Sequence, residues 1–111
     1  MPNIKILILN WDGKQLLKAC LDSVTAIDYP NFSIMVIDNG SSDGSLDMIT
    51  NNYPNVETLS LDKNYGYSEG YNRCLQELKD EPSDFIMFLN NDTVVDPAIV
   101  NSFIHAKEQF G

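Results

Sequence analysis

Polar residues that could hold a ligand directly follow an apolar run near the end of the chain. The run FIMFL leads into Asn90, Asn91 and Asp92. Magnesium and manganese prefer hard oxygen ligands and often take one or two protein carboxylates, with phosphate oxygens and waters completing the shell. Asn90 and Asp92 offer one amide and one carboxylate, which is a poor metal site by itself. A diphosphate would have to supply the remaining ligands.

A second polar stretch, VIDNGSSDGS at residues 36–45, follows an earlier apolar run. The carboxylate of Asp38 can accept a hydrogen bond from the imide N–H of a uracil or thymine, or from a ribose hydroxyl. The glycines and serines permit a tight turn and leave backbone N–H groups free. The alternative is an Asx-turn with a helix cap, which needs no ligand. Gly40 excludes an EF-hand loop, because it stands where an oxygen ligand is required.

Glycine-rich phosphate loops of the common kinds are absent from the sequence. In NYGYSEGYNRC, residues 64–74, Gly66 and Gly70 are too few and wrongly spaced for GxGxxG, and no GxxxxGK[ST] occurs anywhere. This stretch indicates only a loop followed by a helix.

Short apolar runs alternate with helical patterns along the chain. The runs predict strands at residues 4–10, 33–38, 56–61 and 84–89. The helical patterns are residues 14–27, a short stretch ending near 53–54, a stretch reaching about residue 79, and a last one from residue 97. On the first helix the predicted buried face comprises Leu16, Leu17, Cys20, Leu21, Val24 and Ile27.

Three helix starts are predicted from capping residues. The second helix has Ser42 or Asp43 as its N-cap, the third has Ser68, and the fourth has Asp96 followed by Pro97 at the first helical position.

The element order βαβαβαβα, with strands that are apolar runs, predicts a doubly wound α/β fold. We expect a mainly parallel sheet of order 3-2-1-4 with helices on both faces, because crossovers are right-handed. The order then reverses between strands one and four, where ligands bind at the carboxyl ends. The polar residues after strands one (10–12), two (38–45) and four (90–92) would share this rim.

The charge balance limits the partners. The 111 residues, 43% of them hydrophobic, suit one compact domain, and 16 acidic against 7 basic residues give a net charge of −9. Such a surface repels nucleic acid and anionic membranes. It also repels phosphate unless a cation or a helix N-terminus offsets the charge. Cys20 and Cys74 are expected to be buried free thiols, which fits a reducing cytosol.

Four segments together resemble the opening half of family-2 glycosyltransferases. They are ILILNWDG, VIDNGSSDGS, NYGYSEGYNRC and FLNNDTVVDP, and their order and spacing agree with the family over residues 4–97. The closest likeness is to the rhamnosyltransferase-like branch. The resemblance implies a nucleotide-diphospho-sugar transferase fold of the GT-A type.

The resemblance also implies roles for residues of the first three segments. Asp38 matches the aspartate that binds the base of a nucleotide-sugar. Trp11 stands where the family has an aromatic residue beside that base, and Asn64 lies in a segment near the nucleotide.

The Asn90-Asn91-Asp92 triplet matches the family's DXD motif. Asp92 would be the ligand of a divalent metal, Mg²⁺ or Mn²⁺, while Asn90 and Asn91 would face ribose or metal. Asn90 departs from the family pattern because it replaces the first acid of the motif.

The resemblance covers only the donor-binding part, so residues 1–111 are expected to be a single nucleotide-sugar-binding domain of a longer enzyme. That enzyme would transfer a sugar from a UDP- or dTDP-sugar to a saccharide or lipid-linked acceptor with inversion. Its catalytic base is expected beyond residue 111, so the fragment alone would be inactive and could self-associate. We expect a cytoplasmic location, with the full-length protein at the inner face of the membrane as a further option.

Other classes fit less of the sequence. A receiver-like signalling domain, or another non-catalytic α/β binding domain, has a similar size and acidity. A receiver needs paired acids after the first strand, where this chain has only Asp12. A nucleotidyltransferase needs a glycine-rich basic loop there, and NWDGKQ is not one.

Overall fold

Strands and helices alternate along residues 1–110, which are the part of the chain that the computed structural model describes. The strands are β1 (Ile4–Asn10), β2 (Phe32–Asp38), β3 (Glu57–Ser60) and β4 (Phe85–Asn90). The helices are α1 (Lys14–Val24), α2 (Ser45–Asn52), α3 (Tyr67–Glu77) and α4 (Ile99–Phe110). The predicted element order is confirmed.

The strands form one parallel sheet of order β3-β2-β1-β4, as predicted. In this register Asn10 of β1 lies opposite Asp38 of β2, and Leu9 lies opposite Asn90 of β4. The carboxyl ends of three strands therefore meet at one edge, on both sides of the point where the strand order reverses.

Helices cover both faces of the sheet, with α1, α2 and α4 on one face and α3 on the other. Ile4, Ile6 and Ile8 point from β1 into a core that also contains buried residues of α1, α2 and α4. Leu7 points to the other face, where it meets Tyr71 and Cys74 of α3 and Leu78 just after that helix. This alternation follows from the two-residue period of a strand.

Strand β4 is less buried than its apolar sequence predicts. Its residues alternate between half-buried and exposed, and Ile86 and Phe88 are 41% and 47% exposed. Within the described chain β4 is one of the two edge strands, and α3 packs over β1 and β2 instead. An apolar run does not distinguish an edge strand from a central one. Leu16 of α1, predicted to be buried, is also exposed.

The starts of α3 and α4 differ from the prediction. Ser68 lies inside the first turn of α3, and Gly66 occupies the N-cap with a positive φ of 84°. The α4 helix begins two residues later than predicted, although the Asp96 carboxylate does cap the preceding turn by accepting a hydrogen bond from the Ala98 N–H (2.8 Å).

Cys20 and Cys74 are free and buried, as predicted. They belong to the cores on opposite faces of the sheet, so they cannot form a disulfide with each other. Among residues 1–110 no helix has the length and apolar character needed to cross a membrane.

Candidate functional site

A buried hydrogen bond joins the carboxyl ends of the two central strands. The amide nitrogen Nδ2 of Asn10 donates to Oδ1 of Asp38 at 3.1 Å. The two residues are 1% and 2% exposed, respectively, and lie opposite each other in the parallel register. The prediction that β1 and β2 bring their terminal polar residues together is confirmed.

The Asp38 carboxylate has further internal partners. The hydroxyl of Ser41 donates to Oδ1 at 2.7 Å, and the Ser41 N–H donates to Oδ2 at 3.1 Å. An ionised carboxylate has about four acceptor positions, so one position, on Oδ2, is left. A ligand that contacts Asp38 must use that position.

Asn91 extends the same chain of hydrogen bonds to the third strand end. Its Nδ2 donates to Oδ1 of Asn10 at 3.0 Å. The amide nitrogen of Asn91 is therefore turned towards the protein, and contact with ribose or metal stays a prediction for this residue. Side chains after β4, β1 and β2 are joined in the order Asn91, Asn10, Asp38.

Gly13 is the residue that allows this approach. A Cβ atom at position 13 would lie 2.4 Å from Nδ2 of Asn91 and 3.0 Å from Oδ1 of Asn10. Any larger residue would therefore push against the hydrogen bond between the two asparagines.

The loop after β1 is bound to the loop after β2. The Asp12 N–H donates to the Ser41 hydroxyl at 2.9 Å, and the Ser42 N–H donates to Oδ1 of Asp12 at 2.7 Å. Asp12 adopts a positive φ of 45°, which is unusual for a residue other than glycine. The prediction of free backbone N–H groups in residues 38–45 is wrong for Ser41 and Ser42, because carboxylates of the protein itself occupy them.

The Asp43 side chain accepts hydrogen bonds from the first residues of two helices. Its Oδ2 accepts the N–H of Lys14, the first residue of α1, and its Oδ1 accepts the N–H of Ser45, the first residue of α2 (both 3.0 Å). Partial burial acts to raise the pKa of Asp43, but the hydrogen bonds from Ser45 and Lys14 outweigh it and leave the pKa below its usual value. The N-cap position of α2 itself is Gly44, so the prediction of Ser42 or Asp43 there is wrong.

The loop before α3 is held to the rim by Asn39. This side chain is 1% exposed; its Nδ2 donates to the carbonyl of Gly66, and its Oδ1 accepts the N–H of Tyr65, both at 3.0 Å. Asn64 is exposed, and its Oδ1 accepts the Gly66 N–H at 2.8 Å. Asn39 therefore fixes the loop that carries Asn64, the residue predicted to lie near the nucleotide.

Tyr71 bridges β1 and β4 near the switch point. Its hydroxyl accepts the N–H of Leu9 at 3.2 Å and donates to the carbonyl of Leu89 at 3.1 Å. Burial raises the pKa of Tyr71 to about 12. The ring also packs edge-on against Phe88, at 4.8 Å between centroids. Tyr71 thus links the two strands whose ends carry the predicted ligand residues.

The remaining predicted residues are exposed on the rim. Trp11 is 54% exposed, and the Asn90 and Asp92 side chains are also exposed. The Asn90 carbonyl accepts the Thr93 N–H at 3.1 Å, which closes a turn. Burial and then the charge of Asp92 raise the pKa of the neighbouring Cys20 thiol to about 11.

The donor set for a metal is small. Within residues 1–110 no three His, Cys, Asp or Glu side chains come together as a metal site. Asp92 is thus the one predicted carboxylate ligand, with the Asn90 amide beside it in sequence. This donor set fits a hard divalent cation only when ligand oxygens complete the shell.

The roles of several rim residues were not predicted from the sequence. Asn10, Gly13, Asn39 and Ser41 hold the rim together, but no ligand or positioning role was assigned to them. Asn10 had a usable signal, because it is a polar residue at the end of a mainly apolar strand. For Gly13 the sequence carries no signal, because its constraint comes from Asn91, far along the chain.

The family model described as Glycosyl transferase family 2 matches residues 6–109. One relative is the N-acetylglucosaminyl-diphospho-decaprenol L-rhamnosyltransferase of Mycobacterium tuberculosis. It is 29% identical over 86 residues, which cover 70% of this chain and 28% of the relative.

Two solved structures have the same fold. S. aureus TarS 1-349 in complex with UDP-GlcNAc superposes with a TM-score of 0.82 at 19% identity, covering 96% of this chain and 31% of that one. The mannosyltransferase PcManGT from Pyrobaculum calidifontis, in complex with GDP-Man and Mn²⁺, gives a TM-score of 0.82 at 15% identity, covering 93% and 31%. The GT-A fold is thereby confirmed. The chain spans less than a third of the length of each of these three proteins.

Proposed function

Because this chain belongs to glycosyl transferase family 2, we propose that its rim binds the nucleoside diphosphate sugar donor of a glycosyltransferase. The observation that carries the proposal is the hydrogen-bonded chain from Asn91 through Asn10 to Asp38. It joins three strand ends at the switch point of a parallel sheet, where α/β proteins bind ligands. The exposed Trp11 and Asp92 flank it.

The base of the donor binds at the β1–β2 side of the rim. The acceptor position left on Oδ2 of Asp38 suits the imide N–H of uracil or thymine. Trp11 offers an exposed aromatic face for stacking. Asn64, on the loop that Asn39 fixes, borders the nucleotide. A UDP- or dTDP-sugar is therefore the donor that these groups favour.

The diphosphate binds at the β4 side together with Mg²⁺ or Mn²⁺. Asp92 would hold the metal, with Asn90 and Asn91 facing the metal or the ribose. The N–H groups of Ser41 and Ser42 are already used within the protein. A net charge of −9 also opposes a bare diphosphate. When bound, the metal would stabilise the negative charge of the departing diphosphate as a Lewis acid.

The reaction of the whole enzyme would be sugar transfer, with inversion, to a saccharide or lipid-linked acceptor. No residue of this chain is assigned as the catalytic base. We place the base and the acceptor site in polypeptide that the longer relatives have and this chain does not span.

A cytoplasmic location is part of the proposal. It is supported by two buried free thiols on opposite faces of the sheet, because disulfide-forming compartments rarely leave cysteines unpaired in a small domain.

Calorimetric titration with UDP, dTDP and GDP, each with and without Mn²⁺, tests the donor site. We expect UDP or dTDP to bind more tightly than GDP, and Mn²⁺ to strengthen that binding. Asp92→Ala should remove the effect of Mn²⁺, while Asp80→Ala should retain it, because Asp80 is an exposed acid in the turn before β4 and the rim lies at the other end of that strand. A folded chain that binds none of the three nucleotides would refute the donor site. An unchanged Mn²⁺ effect in Asp92→Ala would refute the metal ligand.

A further inference from the structure

Both ends of the Asn10 amide are used, and they are used by opposite sides of the proposed site. Its Nδ2 donates to Oδ1 of Asp38 (3.1 Å), on the side of the base, and its Oδ1 accepts from Nδ2 of Asn91 (3.0 Å), on the side of the diphosphate. The side chain is 1% exposed. Asn10 is therefore a direct link between the two sides.

The chemistry of the position favours an amide. Asp38 is a buried carboxylate that needs a donor, and Nδ2 of Asn91 needs an acceptor. A carboxylate at position 10 would accept from Asn91 but repel Asp38. A serine or threonine hydroxyl is too short to reach both partners. Asparagine supplies one donor end and one acceptor end within a single short side chain.

A substitution at Gly13 would act mainly on one half of the link, the hydrogen bond between Asn10 and Asn91. A methyl group at this position would meet Nδ2 of Asn91 at 2.4 Å and, less closely, Oδ1 of Asn10 at 3.0 Å, while the backbone of Gly13 has φ −112°, a value open to alanine. Gly13→Ala would thus displace Asn91 from Asn10 by contact alone. The donation from Asn10 to Asp38 does not involve the displaced amide.

We propose that Asn10 is a positioning residue that couples the base-binding and diphosphate-binding sides of the site. A base that orders Asp38 also orders Asn10 and, through it, Asn91 and the turn of residues 90–92. The metal then binds to a turn that is already ordered, so it does not pay the entropic cost of ordering that turn. Binding of the base and binding of the metal are therefore cooperative. Such coupling is reciprocal, so the metal strengthens nucleotide binding by the same factor. This inference rests on the proposed donor-binding function.

The test compares the factor by which Mn²⁺ raises UDP affinity in four proteins. These are the wild-type chain, Asn10→Asp, Gly13→Ala and the control Asn72→Asp, which makes the same chemical change on the exposed side of α3. We expect the Mn²⁺ factor to fall about fivefold in the first two variants, as for the loss of one internal hydrogen bond, and to stay at the wild-type value in the control.

A second readout needs no metal. In the wild-type chain, UDP alone should shift the side-chain amide NMR signals of Asn91, because the base acts on it through Asp38 and Asn10. In Gly13→Ala these shifts should be lost while the spectrum stays that of a folded protein. If Asn10→Asp fails to fold, the comparison of the wild-type chain with Gly13→Ala still tests the coupling.

The outcomes separate the two proposals. A wild-type chain that binds no nucleotide under any condition overturns the donor-binding function and this coupling with it. A wild-type chain that binds UDP, with the same Mn²⁺ factor and the same Asn91 shifts in Gly13→Ala, overturns the coupling alone.

Discussion

The carboxylate of Asp43 accepts the N–H of Lys14 at 3.0 Å, so a residue from the loop after β2 caps the helix that follows β1. The α1 helix has no capping side chain of its own, since Gly13 occupies its N-cap, and it has no acidic residue in its first turn. Asp43 also accepts the N–H of Ser45 at the start of α2. One side chain therefore stabilises the start of two helices.

We expect Asp43→Ala to lower the free energy of unfolding by about 1–2 kcal/mol, the usual effect of losing a helix cap. Urea denaturation at pH 7 measures it, with Asp80→Ala as the matched exposed control. Equal midpoints for the two variants would contradict the capping role.

The same carboxyl group makes stability depend on pH. Its folded pKa lies below its ordinary value, so its contribution is present in full above pH 4–5 and is lost as the pH falls through the folded pKa. In acid titrations of stability, the difference between wild type and Asp43→Ala should shrink below about pH 4. A difference that stays constant down to pH 2 would argue against an ionised Asp43 as the cap.

Asn39→Ala should loosen the loop before α3. It removes the acceptor of the Tyr65 N–H and the donor to the Gly66 carbonyl, and such losses cost about 1–3 kcal/mol. Amide hydrogen exchange at Tyr65 should become faster, while Asn72→Ala on exposed α3 should leave it unchanged. An unchanged exchange rate in Asn39→Ala would show that the loop is held by other contacts.

Tyr71→Phe removes the hydroxyl that bridges Leu9 and Leu89. We expect a loss of about 1–2 kcal/mol, because a backbone donor and a backbone acceptor lose their partner near the switch point. Tyr67→Phe is the control, since its ring also packs edge-on in this cluster but is 59% exposed. Thermal unfolding compares them, and equal effects would refute the bridging role.

The free edge of β4 should promote self-association of the chain. The Phe85 N–H donates to Asn3 on the β1 side, so by alternation the N–H groups of Ile86 and Phe88 point outward. The FIMFLN strand contains no charge, and edges of this kind pair with other strands. Sedimentation velocity should show larger species as concentration rises for wild type. Phe88→Lys should stay monomeric, whereas Val94→Lys, an exposed apolar residue outside the strand, should behave as wild type. A wild-type monomer at all concentrations would contradict this prediction.

The sequence was sufficient for the fold because apolar runs and helical periods are local signals. The strand order and the convergence of Asp38 with the residues after β1 and β4 followed from topology alone. The predicted order placed β4 at an edge of the sheet, but the exposure of Ile86 and Phe88 was missed, because burial of a strand depends on which helix lies above it. The cap of α1 was missed because Asp43 and Lys14 are 29 positions apart. The Asn91–Asn10 bond spans 81 positions, a separation at which no local pattern carries information.

The two edges of the sheet differ in how readily they can pair with another strand. At one edge β3 is short and mostly exposed, and it carries Glu57, whose carboxylate is tied to the buried Lys5 at 3.0 Å. Charged, short edge strands resist pairing. The uncharged edge is β4, and its last residue belongs to the proposed diphosphate side. Any strand that extends this sheet would therefore pair with β4, beside Asp92, rather than with β3.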